Sequence, residues 1–378
     1  MKKEFSIYLD LVRFVAAALV FIAHSNDRLV ISQQLLFAGH ARAAVIVFFI
    51  LSGYVISYIT AEREKTALTY WSSRLSRFYS LVIPALCLTP LLDMIGQSIM
   101  PEMYVGRTTT DFGWFRFLIS LGYLNEIWTM SIMPFSNVPF WSLCYEMSYY
   151  ALFAAVAFTA GKVRMWLVLG LCLLIGPKIL LLAPIWAFGV VLHRWKALEN
   201  LPVWFCWALF SFSVGGYWLF QHYQMTEYGI HLLQQVAGAK WDRLASFSRP
   251  FITDYPLALI VSANFIGFRG IAPAFRPLLL TFERPIRWIA AFTFPLYVLH
   301  QPFLLFYAAL LRGDPSKPLF YLSVATCTLL SVGVIGHVVD RKRYRLRNWI
   351  EHRLKALTST PWWQKRISTI IRSRPLGI

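Results

Sequence analysis

The sequence predicts an all-α integral membrane protein with about ten transmembrane helices. Three observations lead there. Apolar residues make up 58% of the 378 positions and charged residues only 14%, whereas a soluble domain carries about 25% charged residues. Mean hydropathy is positive. Apolar stretches of about 20 residues, the length that crosses about 30 Å of hydrocarbon, recur from one end of the chain to the other.

The predicted spans are 7–26, 41–60, 79–98, 140–160, 165–178, 179–195, 201–220, 251–268, 287–311 and 318–339. A further apolar stretch, 112–125, is short and interrupted by Arg116. The basic connections are Glu62–Arg77, Lys162–Arg164, His193–Lys196, Arg269–Arg287 and everything from Asp340 onward. Lysine and arginine concentrate on cytoplasmic faces, and with both termini cytoplasmic all these connections fall inside only if 112–125 does not span. Residues 99–139 are therefore expected to form an extracytoplasmic loop holding a re-entrant or interfacial helix. The polar stretch 221–250 is expected to be a second such loop or a short helix. Residues 1–340 then make a transmembrane domain and 341–378 a basic cytoplasmic tail, whose Trp349, Trp362 and Trp363 suit the anionic inner leaflet.

The formal net charge of +18 follows from this topology, so it does not point to nucleic acid. The five cysteines (Cys87, Cys144, Cys172, Cys206, Cys327) lie in apolar segments at irregular spacing. Neither a disulfide framework nor a metal site has that pattern. No cleavable signal peptide is expected, because Asp10 and Arg13 interrupt the first apolar run.

Ionisable groups inside a span cost several kcal/mol unless paired or wetted, so each is a candidate for function. In the first span these are Asp10, Arg13 and His24. At 100° per residue Arg13 and His24 share a face, about 16 Å apart along the axis. Asp10 lies one turn before Arg13 and is its expected ion partner. In the second span Ser52-Gly53 is a small pair that admits a neighbouring backbone or a ligand. Arg74 and Arg77, at i and i+3 by the mouth of the third span, suit either a phosphate or lipid headgroups. Glu146 lies about two turns below the outer surface in its span, at the depth expected of His24, where it either orients that histidine or pairs with Arg13. Tyr297, His300 and Gln301 share one helical face in a later span.

These blocks, in this order, resemble the membrane-bound acyltransferase 3 family. Its signature is an arginine followed after ten residues by a histidine, as in Leu9-Asp10-Leu11-Val12-Arg13-Phe14 and His24. Phe48 to Gly53, Arg74 with Arg77, Trp141-Ser142-Leu143 with Glu146 and Tyr149-Tyr150, and Leu296-Tyr297 with His300-Gln301-Pro302 are similar to its remaining landmarks. Ser73 and Ser80 stand where the family often has an arginine and a proline. The resemblance covers residues 5 to about 340 and implies a multi-pass enzyme of the bacterial cytoplasmic membrane. Such an enzyme moves an acyl group, most often acetyl, from cytoplasmic acetyl-CoA or another acyl-CoA to a hydroxyl of a surface or lipid-linked glycan. By that resemblance His24, Glu146 and Arg13 are catalytic. Arg74, Arg77, Asp10 and Ser52 serve the donor, and Trp141, Tyr149, Tyr297 and His300 line the acceptor side or the channel. The buried polar residues by themselves also fit a transporter or flippase for a polar solute, although the inverted repeats common in transporters are not evident.

Overall fold

The computed structural model describes residues 1–27 and 30–358. Among them every regular element is helical. In chain order the α-helices are α1 (Lys3–Asp27), α2 (Ala41–Glu62), α3 (Ala67–Ile99), α4 (Gly113–Leu121), α5 (Trp141–Phe158), α6 (Gly161–Ile175) and α7 (Pro177–Arg194). There follow α8 (Val203–His222), α9 (Met225–Ala245), α10 (Phe251–Ile271), α11 (Arg276–Thr281), α12 (Glu283–Ala291), α13 (Thr293–Leu311) and α14 (Pro318–Thr358).

The predicted spans fall on these helices, with 287–311 beginning in α12 and continuing in α13, and eight stretches of the described residues are long and apolar enough to cross a membrane. The two predicted spans outside that set are α5 and α6. Helix α6, at 15 residues, rises about 22 Å, short of a full crossing. Helix α5 carries Glu146, two serines and three tyrosines within 18 residues, a composition for a protein interior rather than lipid. The stretch 112–125 contains only the nine-residue α4. That helix rises about 14 Å, under half the hydrocarbon depth, so it does not cross. Its Trp114 is 70% exposed, while Arg116 is anchored by Asp111 at 2.9 Å, as suits a helix lying at an interface. The stretch 221–250 is more ordered than a loop: it forms α9, broken at Gly238, whose φ of 81° leaves the helical region. Helix α14 runs through residue 340 without interruption, so the boundary between membrane domain and tail is not a break in structure. Trp349 sits on this helix with the Arg353 guanidinium 5.6 Å from its ring; Trp362 and Trp363 lie outside the described residues.

Helix α13 is the most enclosed of the candidate spans, packed between α1, α3 and α14. Its Pro302 has no N–H to give the carbonyl four residues back. That carbonyl, Val298 O, instead accepts from Asn137 Nδ2 at 2.9 Å, which ties the outer loop to the helix.

Helices α2 and α7 cross closely. A methyl group on Gly53 would stand 2.1 Å from the carbonyl oxygen of Trp186, and one on Gly189 would stand 1.9 Å from that of Ile50. Small residues facing one another in this way let two backbones touch and gain dispersion contacts that lipid does not replace. Gly53→Ala is expected to force the helices apart and cost about 1–3 kcal/mol, read as a lower midpoint of thermal unfolding in detergent. A variant as stable as the parent would show that the crossing is not tight.

Candidate active site

The approach of α7 to α2 places Trp186 over Ser52. Trp186 Nε1 donates to Ser52 Oγ at 3.3 Å, and Ser52 Oγ donates to Glu146 Oε1 at 2.7 Å. The Tyr150 hydroxyl, one turn along α5, donates to the same carboxylate oxygen. Glu146 is thus fixed by two hydroxyl donors and faces a cavity of ≈ 340 Å³. A carboxylate in so apolar a surrounding is stable only with such partners or a nearby cation.

Arg13 from α1, Arg77 from α3 and Arg343 from α14 line the same cavity. The Arg13 guanidinium meets Asp10 at 3.4 Å, as expected. Asp10 also takes Arg287 at 2.8 Å, and Arg287 in turn holds Glu283 at 3.0 Å. Asp10 is not among the residues that line the cavity; its carboxylate is taken up by the two arginines. Arg77 lies with its guanidinium 5.4 Å from the Phe294 ring, which orients it while leaving N–H edges for another partner.

Arg74 behaves differently. It makes a two-pronged ion pair with Glu64, at 3.1 Å and 2.7 Å, with both side chains buried. Its guanidinium stacks 4.8 Å from the Tyr70 ring and 5.9 Å from that of Tyr150. Three residues on a helix turn the direction by 300°, so Arg77 reaches the cavity while Arg74 is buried beneath Tyr150. The structure places Arg74 in this ion pair rather than on the lining of the cavity.

Helix α5 divides in the same way. Ser142, Glu146 and Tyr150, spaced by four, face the cavity. Trp141, Tyr145 and Tyr149 form the neighbouring stripe and pack elsewhere. Trp141 stacks on Phe247 at 4.5 Å, and the Tyr149 hydroxyl donates to Ile179 O at 2.8 Å. Neither lines this cavity, because a stripe one residue off is rotated by 100°.

At the far end of the cavity the Tyr297 hydroxyl meets Ser142 Oγ at 2.6 Å. One turn further along α13, His300 Nδ1 lies 2.9 Å from the carbonyls of both Leu296 and Tyr297. Carbonyls only accept, so Nδ1 carries the proton and Nε2 keeps the lone pair. The His300 ring faces His24 with 5.2 Å between centroids. His24 is not among the residues that line the cavity; it is joined to Tyr297 of that lining through His300. The ring beside it is His300, while Glu146 bonds to Ser52 and Tyr150. Glu146 stands one helical turn further from His24 than Ser142 does, nearer Arg13.

A family model described as an acyltransferase domain, of the acyltransferase 3 type, matches residues 6–337. The chain belongs to that family. It is a membrane acyltransferase. No curated protein and no solved structure matches the chain. The matched region of the acyltransferase takes in Arg13, His24, Ser52, Arg77, Glu146, Tyr297 and His300, but it ends before Arg343. Sequence reasoning missed Arg343, which it assigned to the tail, and Glu64, which it left in a basic loop. The spacing of Arg343 three residues after Asp340 continues the face of α14 that lines the cavity and was the available signal. Tyr150 was in view as a landmark, and its place four residues after Glu146 marks it as a partner.

Proposed function

We propose that this acyltransferase moves an acyl group, acetyl in the first instance, from cytoplasmic acyl-CoA to a hydroxyl of an extracytoplasmic polysaccharide or glycoside. The observation that carries this reading is one cavity holding Arg77 and Arg343 toward one end and Glu146, Ser142 and Tyr297 deeper in. Guanidinium groups grip phosphates through paired hydrogen bonds, which suits the nucleotide end of coenzyme A. A ten-span topology with both termini inside puts that end at the cytoplasmic face of a bacterial inner membrane. Helices α5 and α6 then complete the count, α5 inside the bundle and the largely exposed α6 at its edge, where the bilayer thins to accommodate a short span.

In the transfer the acceptor oxygen bonds to the thioester carbonyl carbon, the carbon–sulfur bond breaks, and the hydroxyl proton passes to His24 and finally to the departing thiolate. Arg13, about 16 Å along α1 from His24 and held beside Asp10, lies with Arg77 on the path of the donor. Ser52 and Tyr150 hold Glu146 in one orientation, where it balances the charge of Arg13. The His300 ring, anchored through Nδ1, supplies a surface against which His24 packs.

Purified protein in liposomes, supplied with labelled acetyl-CoA and a glycan acceptor, is expected to move label to the acceptor. Passage of glycan across the bilayer without acylation would instead favour a transporter and defeat the reading. Arg77→Ala is expected to raise the KM for acetyl-CoA by about tenfold or more, since a hydrogen bond to a charged group contributes about 1.5–3 kcal/mol, with kcat little changed. An unaltered KM would remove Arg77 from the donor site.

A further inference from the structure

A second cavity lies at the opposite end of α1 from Arg13. It has a volume of ≈ 850 Å³ and reaches Ala23, the neighbour of His24. Small-molecule sites occupy about 300–1,000 Å³, so the space suffices for a sugar residue or two. Its wall is built from the segment that joins α1 to α2 together with the end of α8 and the start of α9. None of these residues lines the inner cavity. A chain of neighbours links the two walls: Tyr297 lines the inner cavity, His300 follows it by one turn, the His24 ring lies 5.2 Å from that of His300, and Ala23 lines the outer cavity.

The chemistry of the wall is specific. Gln221 Nε2 donates to His40 Nδ1 at 2.8 Å and to the Tyr217 hydroxyl at 2.7 Å. With Nδ1 of His40 accepting, Nε2 carries the proton. Among the described residues His40 Nε2 and Gln221 Oε1 have no protein partner. The wall thus offers one donor and one acceptor on neighbouring side chains, the pair that two adjacent hydroxyls satisfy. Phe37, 53% exposed at the rim, lies 5.6 Å from the His40 ring, and its φ of 69° is strained for a bulky residue. The fold holds this ring in place where relaxation would remove it, and a sugar's C–H face packs on such a surface. The charge of Arg42, which also borders the space, is spent on Asp254 and on Phe247 O. Among the described lining residues Glu227 is the acidic one, and it disfavours an anionic ligand.

We propose that this outer vestibule binds a neutral sugar residue of the acceptor, with His40 and Gln221 reading a pair of hydroxyls and Phe37 supporting the ring. The inference rests on the glycan-acceptor reading above and gives that acceptor a place and a charge. The full-length protein in lipid nanodiscs serves for the test, with methyl α-glucopyranoside and methyl glucuronide as probes and saturation-transfer NMR as the readout. The neutral glycoside is expected to bind more strongly than the glucuronide. Its signal is expected to fall at least fivefold in Gln221→Leu and in Phe37→Ala, and Glu227→Gln is expected to narrow the preference. Phe37 is exposed, so its replacement tests binding without endangering the fold. Binding that is absent from the parent protein, stronger for the glucuronide, or equal in the parent and both variants overturns the proposal. Label transfer from acetyl-CoA is followed in the same samples. Sugar binding that depends on Gln221 and Phe37 without any transfer would sink the acetyltransferase reading while the vestibule stands. Transfer with binding indifferent to those residues would do the reverse.

Discussion

His24→Ala is expected to lower acyl transfer by about 10²–10⁴-fold, the range associated with a positioned general acid or base, while leaving the protein folded. Two features separate this residue from an ordinary buried histidine. It shares a face of α1 with Arg13, which lines the inner cavity, and its ring lies 5.2 Å from that of His300, between Tyr297 of the inner lining and Ala23 of the outer one. A proton acceptor at that point meets the incoming hydroxyl from one side and the thioester from the other. Mass spectrometry of the surface glycan from cells carrying the parent or the variant gene, at matched protein levels, checks the outcome. Full acylation with His24→Ala would remove this residue from the chemistry.

Removing one partner of the Glu64–Arg74 pair is expected to destabilise the protein by about 3–5 kcal/mol, because an isolated buried charge is left behind. The pair is two-pronged, and the side chains are 7% and 5% exposed. Glu64→Ala and Arg74→Ala should therefore unfold at similarly lowered temperatures, and the double variant should lose less than the sum of the two. Because Arg74 stacks on Tyr150, and Tyr150 donates to Glu146, kcat should fall in each single variant while the KM for acyl-CoA stays near that of the parent. An Arg74→Ala protein of unchanged stability and raised KM would restore Arg74 to the donor site and contradict the role given to it here.

The helices themselves were readable because lipid imposes a simple rule: backbone polar groups must be satisfied within the segment, over a length set by the bilayer. That 112–125 does not span followed from loop charge, and α4 is too short to cross. Helix α9 was harder to foresee, since a polar stretch folds as helix when its neighbours hold it. Asp242 there is gripped by Arg249 at 2.7 Å and by Gln234 at 3.0 Å. Among the site residues, the Asp10–Arg13 pairing followed from spacing alone, because both groups belong to one helix.

Arg13 and His24, an arginine and a histidine on one face of the first helix, were determined by sequence alone, as were the membrane setting and the family resemblance. What faces each of them was decided by tertiary structure. Whether Arg74 or Arg77 reaches the cavity, whether Glu146 meets His24 or Ser52, and whether Arg343 belongs to a tail or a site all depend on the rotation of one helix against another. That rotation is set by contacts such as Gly53 against Trp186, between residues far apart in the chain. A helical period states which side chains share a face; only packing states what that face meets.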